Sequence, residues 1–357
     1  MSQGPSESGF HFMQGFRNCQ KKFYYQYIVG LEPLQPSPAI LFGINMHTAM
    51  ALWYKAYGKG EALHHRVMLA KRVFSIEQEK VRDSYAEPGL FESDCYDGVN
   101  MIEEYGLRYC DEIWTVRAVE EAVEYMFPSG LRMTGRVDLV VTSREGRNYI
   151  VDHKTTKWAI VSLMRELNKS DQASAYMHMW NAANPDLPVC GVMFNILRRG
   201  KTTCEFKQHL VLKSNEDIDN FVNSAEETLV EITAKVMRSD TVWTTNTDRC
   251  FDYNKPCPFM NVCPGDGYEG LIGTVFNKKE VVSYDQGREH EGRGPIREEV
   301  KDVSIRPTRK WKDLVRGNHA RPLLYMRRSR TARGRNSKKG RGVRRVRHVR
   351  GLAKNYN

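Results

Sequence analysis

Three side chains in GRVDLVVTSREGRNYIVDHKTTK, residues 135 to 157, could do hydrolytic chemistry together: Asp138, Asp152 and Lys154. Asp138 falls on one expected strand, and Asp152 and Lys154 fall on the next. Residues two apart on a strand project from the same face, so the latter pair would point together toward Asp138 across a hairpin-like pair. The peptide carbonyl of His153 would be held between them. Two carboxylates and a carbonyl form a hard-oxygen site suited to Mg²⁺ or Mn²⁺. Such an ion polarises a phosphodiester and lowers the pKa of a bound water, while a neighbouring ammonium positions the nucleophile or stabilises the transition state. Phosphodiester hydrolysis is the chemistry expected.

A second group is made of thiols. Cys250, Cys257 and Cys263 lie in RCFDYNKPCPFMNVC, where Pro256 and Pro258 enforce a non-helical wrap around the middle cysteine. Three closely spaced thiols need a fourth ligand, and counting thiolates does not separate zinc from an iron-sulfur cluster. Cys95, Cys110, Cys190 and Cys204 are expected to be buried core thiols. His64 and His65 fall on an exposed helix and His178 among Met177, Met179 and Trp180, so none is given a role.

Gly135, Asp138, Asp152, Lys154 and Thr155 resemble the GxxD…DxKT signature of the PD-(D/E)XK nucleases, and further elements follow in that family's order. His47, in FGINMHTAM, resembles the helix-borne histidine of the RecB-like branch. This implies a metal shell of His47, Asp138, Asp152 and the His153 carbonyl around one or two Mg²⁺ or Mn²⁺ ions. Gln172 and Tyr176 form a QxxxY motif on one helix face. The resemblance implies that they help hold DNA or the catalytic groups. Cys19, in FRNCQKKFYYQYIVGLEP, is similar to the N-terminal cysteine of the members that carry an iron-sulfur staple, including AddB-type and CRISPR-adaptation enzymes. It implies that Cys19, Cys250, Cys257 and Cys263 hold a 4Fe-4S cluster. That would clamp the first helix to the C-terminal segment and close a loop of more than two hundred residues. The five residues between Cys257 and Cys263 fit the family, and the six between Cys250 and Cys257 exceed its usual two. A Cys₄ zinc site is the alternative.

The elements that must position these groups change period along the chain. Residues 12–29, 39–57, 62–85 and 96–114 carry apolar residues at helical spacing. Residues 118–127, 131–142 and 148–153 are short, rich in Val, Ile and Tyr, and divided by turn residues, which predicts an antiparallel meander. A helix over 159–183, strands near 188–197 and 204–212 and a helix over 215–237 complete an α/β body with a helical N-terminal part. The family resemblance implies a restriction-endonuclease-like core, a central mixed β-sheet flanked by helices.

The 357 residues carry a net charge of +11 that is unevenly divided. Residues 301–357 hold twenty Lys and Arg against Asp302 and Asp313, while the rest carries 34 basic against 41 acidic residues. The division predicts a nuclease body over 1–282 and a flexible, Arg- and Gly-rich tail over 283–357 suited to phosphates. No stretch is apolar for long enough to span a bilayer and no export signal is visible, so a cytoplasmic protein of a bacterium or phage-infected host is expected. The absence of a GxxxxGK[ST] loop leaves any helicase, or a recombination protein, as a separate partner. The activity expected is a metal-dependent DNA exonuclease of recombination, repair or DNA degradation. The alternative is a non-catalytic nucleic-acid-binding protein that uses the tail. A third reading gives the tail an acidic protein or RNA as its target.

Overall fold

A computed structural model describes residues 8–279 except 201, 202, 239, 253, 254, 264 and 266. The expected basic tail over 283–357 lies outside the described residues. The helical N-terminal part comprises α1 (Phe10–Asn18), the single turn α2 (Gln20–Phe23), a π-helical turn at Tyr24–Val29 and the short strand β1 (Leu31–Pro33). Three longer helices follow, α3 (Pro38–Gly58), α4 (Leu63–Lys80) and α5 (Pro88–Arg108). Pro38 and Pro88 stand in the first turns of α3 and α5, where the missing amide costs nothing and the fixed φ favours the helix.

The sheet is formed by β2 (Thr115–Met126), β3 (Arg132–Thr142), β4 (Asn148–Thr156), β5 (Val192–Arg199) and β6 (Cys204–Val211), in that spatial order. β2, β3 and β4 form the expected antiparallel meander. β5 is parallel to β4, which requires a crossover, and α6 (Ile160–Lys169) and α7 (Gln172–Ala183) supply it. β6 returns antiparallel and leads into α8 (Asn215–Met237), whose start is fixed by a capping box between Ser214 and Asp217.

Alternate strand residues feed two apolar layers. Ile150, Phe194 and Ile196 pack toward α1, α7 and α8 with Phe12, Trp180, Phe221 and Leu229. Val151 and Leu197 pack toward α3, α4 and α5 with Met46, Trp53, Phe74 and Tyr105. Burying each large apolar side chain contributes roughly 1.5–3 kcal/mol. The central mixed sheet flanked by helices is therefore the architecture observed. α3 is held against α4 through Phe42, which meets the ring of Phe74 edge-on at 5.4 Å. That ring in turn occupies the space beside Gly98, where a Cβ would fall 2.1 Å from its atoms.

The ends of several elements differ from expectation. The helix expected over 12–29 breaks at Cys19, which is extended at φ −164° and ψ 108°. The helix expected over 96–114 begins earlier, at Pro88, and ends at Arg108. The single helix expected over 159–183 is two helices. Ser170 is extended between them and its Oγ accepts the Gln172 amide at 3.1 Å, a local bond that competes with helix continuation. Of the four cysteines expected in the core, Cys95 and Cys204 pack against its margins and the other two lie outside it. Cys110 and Cys190 are exposed and Cys95 and Cys204 only half-buried. Cys110 follows the end of α5 and Cys190 precedes β5, both in connections that run over the surface.

Short strands close the described region. β7 (Phe251–Asp252) and β8 (Lys255–Pro256) form a small hairpin, and β9 (Phe276–Lys278) pairs antiparallel with β1. The N-terminal and C-terminal parts thus meet on one side. Tyr25, Leu31, Phe259 and Phe276 form a separate apolar cluster there.

Candidate active site

β3 pairs with β4 only from Leu139 to Thr142. At Asp138 the strands part, and the Asp138 carboxylate takes over from the ladder by accepting the His153 amide N–H at Oδ2, 2.8 Å away. Apolar side chains change sides at the same level. Val137 belongs to one layer and Leu139 to the other, although residues two apart on a regular strand share a face. The sequence thus opens the middle of the sheet where its acids lie. A Cβ at Gly135 would come 2.6 Å from Met179 Cε, the flexible end of a side chain of α7.

Asp152 is buried in that opening. The Lys154 ammonium lies 2.6 Å from its Oδ2, as the shared strand face requires. Beyond this ion pair the buried oxygen has no further donor among the described residues, which leaves a lone pair free to accept. Oδ1 accepts from Gln172 Nε2 at 3.3 Å, and the same amide nitrogen lies 3.2 Å from the Tyr176 hydroxyl. The break before α7 places Gln172 in its first turn, aimed at the strand. Burial, opposed by Lys154 and reinforced by Asp138, raises the Asp152 pKa. Burial and the charges of Asp152 and Asp138 hold the Tyr176 hydroxyl far above its ordinary range, so it remains a neutral donor.

His47 projects from α3 and its Nδ1 lies 3.1 Å from Asp138 Oδ2. Burial would lower its pKa, but the carboxylates of Asp138 and Asp152 lift it to about 9. Burial likewise works against ionisation of Asp138, yet His47 and the His153 amide hold its carboxyl well below the usual range. The sign of the resulting pH dependence is fixed. The folded imidazole has a pKa above its unfolded value of 6.5, so its contribution to stability is complete below that pH and is lost as pH rises through about 9. The melting temperature of metal-free protein should fall over that window, and His47→Ala should flatten the decline. A variant with the wild-type slope would contradict the pairing.

His153 is directed to the opposite face. Its ring stacks on Tyr54 at 5.6 Å, and Nδ1 lies 2.9 Å from Asn195 Nδ2. Burial lowers its pKa to about 4, so it is neutral. Asn195 also donates to the Tyr105 hydroxyl, which pairs with Tyr54 at 2.6 Å, and Tyr54 reaches Glu112. This buried polar chain locks the strand between Asp152 and Lys154. Only the His153 backbone carbonyl is left to serve the site.

One acid was not singled out from the sequence. Glu120 lies on β2, whose register with β3 runs Val119 to Leu139 and Glu121 to Val137, so Glu120 falls opposite Asp138. In VEEAVEYM it reads as part of a solvated strand face, and nothing in the pattern signals otherwise.

The donor set fits a hard divalent cation: carboxylates on adjoining strands, a buried oxygen short of donors and a strand carbonyl between them. Among the described residues no three His, Cys, Asp or Glu groups form a ready-made coordination shell. His47 and the His153 amide engage Asp138, and Lys154 engages Asp152.

The four cysteines expected to act together are free thiols within electrostatic range of one another, and among the described residues no three of them are grouped as a metal shell. Burial raises the pKa of Cys257 and Cys263, and the charges of Cys19 and Cys250 act on both in the same direction. Surrounding bonds already join residues 18–25 to residues 244–262. Lys21 N–H donates to Thr244 O at 2.9 Å, Asn246 Nδ2 to Asn18 O at 2.9 Å and the Tyr25 hydroxyl to Val262 O at 3.1 Å.

Residues 13–264 match the sequence profile of the PD-(D/E)XK nuclease superfamily. No curated protein matches the chain. Two solved structures are similar to it. One is a Eubacterium rectale protein provisionally described as an exonuclease, at 13% identity over 67% of this chain and 84% of that one, with a TM-score of 0.40. The other is the protein SSO0001, at 15% identity over 52% and 80%, with a TM-score of 0.25.

Proposed function

The chain belongs to the PD-(D/E)XK nuclease superfamily, and from that membership we propose that it is a metal-dependent deoxyribonuclease of the RecB-like branch that degrades DNA from its ends. The observation that carries this reading is the meeting of Asp138, Asp152 and Lys154 where β3 parts from β4. A protein that only bound nucleic acid would have no use for a buried acid paired with a lysine at the mouth of a split sheet.

Asp138, Asp152, His47 and the His153 carbonyl would hold Mg²⁺ or Mn²⁺. When bound, the ion supplies Lewis-acid polarisation of the phosphodiester and neutralises the charge that develops there. Lys154 supplies a donor beside Asp152, placed to orient the attacking water or to stabilise the new negative charge. Gln172 fixes the rotamer of Asp152, and Tyr176 orders the Gln172 amide. Protonated His47 holds Asp138 in place, and in its neutral form it would join Asp138 in holding the ion.

Cys19, Cys250, Cys257 and Cys263 would hold a 4Fe-4S cluster, with zinc as the alternative, that fastens α1 to the C-terminal segment. We assign residues 1–282 to the nuclease body and 283–357 to a basic tail that contacts DNA. A separate helicase or recombination protein would supply ends. Among the described residues no helix is long and apolar enough to cross a membrane.

The test is cleavage of linear DNA labelled at either end by protein purified without oxygen. Release of labelled mononucleotides or short oligonucleotides that depends on Mg²⁺ or Mn²⁺ is expected, as is absorbance near 400 nm from the cluster. Binding without cleavage under every metal condition would overturn the catalytic assignment.

A further inference from the structure

We propose that the indole of Trp158, flanked by the ammonium groups of Lys157 and Lys255, is a stacking seat for an unpaired base, so that the DNA drawn to this site is a single-stranded end. The inference rests on the nuclease reading given above and names the form of its substrate.

The first ground is where the ring stands. β4 ends at Thr156 and Trp158 follows two residues later. Its Cα therefore lies at most about 14 Å from that of Lys154, a reach of a few nucleotides. The backbone there is pinned. The Trp158 amide donates to Thr156 Oγ1 at 2.9 Å, and its carbonyl accepts from Arg198 Nε of β5, also at 2.9 Å. Both polar groups of the residue are held, yet the residue is 60% exposed. A ring carried on a fixed backbone gives up less freedom when a ligand settles on it.

The second ground is the wall opposite. α3 runs along β4 in reverse. His47 meets the Asp138 oxygen that accepts the His153 amide, and a Cβ at Gly43 would lie 3.2 Å from Thr155 Oγ1. Ile40 shares the Gly43 face one turn earlier, which brings it to the level of Lys157 and Trp158. It too is 60% exposed. Two large apolar side chains thus stand in water where β4 leads out of the site, and an apolar patch beside a polar rim marks a binding surface.

The third ground is charge. Lys157 and Lys255 are exposed and lie within electrostatic range of each other, and Lys255 Nζ is 3.5 Å from Ser37 Oγ at the start of α3. Asp94 and Asp97, the acids that act on Lys157, are taken up by Arg199. Ammonium groups beside an aromatic face are the combination that follows a phosphate backbone and stacks its bases. A base reaches such a face only after leaving its own helix, which a duplex resists and an unpaired strand does not.

The experiment reads stacking from the fluorescence of 2-aminopurine placed near the end of an oligonucleotide, with the full chain and no divalent metal, so that binding is separated from cleavage. Wild-type protein should quench the probe in a single strand and bind that strand more tightly than a blunt duplex of the same sequence. Trp158→Ala should abolish the quenching and weaken single-strand binding by about 5–150-fold, the loss of one base–aromatic stack. Trp158→Phe should keep most of both, which separates stacking from a folding defect. Quenching retained in Trp158→Ala, or equal losses for single strand and duplex, would overturn the seat and leave the nuclease reading standing. Quenching lost only in Trp158→Ala, together with a wild type that cleaves no DNA in Mg²⁺ or Mn²⁺, would support the seat and overturn the nuclease reading.

Discussion

Lys154→Ala should slow DNA cleavage by about 10²–10³-fold, the usual cost of removing one donor aimed at developing charge. Asp152→Asn should slow it at least as much, because it removes an oxygen donor as well as the partner of Lys154. Gln172→Ala acts one step further out and should cost about 10–100-fold, since it only orients Asp152. The three variants thus form a graded series rather than equal losses. Single-turnover cleavage of end-labelled DNA measures the series, and thermal melts separate chemistry from folding. Lys154→Ala also leaves Asp152 buried without its counter-charge, so a lowered melting temperature in metal-free protein should accompany its rate loss. Equal activity in Lys154→Ala and wild type would remove the ammonium from the chemistry.

Deletion of residues 301–357 should produce the largest change in affinity. That segment holds twenty of the 54 basic residues, and the remainder of the chain is acidic on balance. If about six of its side chains neutralise phosphates, the salt dependence should flatten by about five in log–log slope. DNA binding near physiological salt should weaken by about 10³-fold. Cleavage at saturating DNA should change little, because the acids and Lys154 lie in the body of the fold. Binding isotherms at several salt concentrations measure both effects. Unchanged affinity would point to an acidic protein or an RNA as the target of the tail.

The parts of the site that are legible in the sequence are those carried by period and spacing. Asp152 and Lys154 share a strand face because they are two apart, and Gln172 and Tyr176 share a helix face because they are four apart. The Val- and Ile-rich runs mark the meander, whose ladder ends at the Leu139–Val151 pair and so brings Asp138 and Asp152 to the same level. What escapes is set by local chemistry or by tertiary contacts. The break between α6 and α7 depends on one serine hydroxyl bonding to the Gln172 amide. The parting of β3 from β4 depends on a side chain taking a ladder bond, which no alternation of polar and apolar residues announces. Glu120 escapes for a related reason. Its sequence neighbours Glu121 and Glu124 make a plausible solvated face, and a single left-handed residue leaves no mark on composition. Residue type alone misplaces Cys110 and Cys190. A small apolar side chain favours the core, but Cys110 and Cys190 occupy connections that run over the surface.

The central claim is that acids from two parting strands share a divalent cation, and anomalous diffraction from a crystal soaked in Mn²⁺ tests it most directly. A manganese peak should lie about 2.0–2.2 Å from carboxylate oxygens of both Asp138 and Asp152, with Lys154 drawn away from Asp152. Manganese density elsewhere on the surface, with the Lys154–Asp152 pair intact and nothing bound between the two acids, would contradict it.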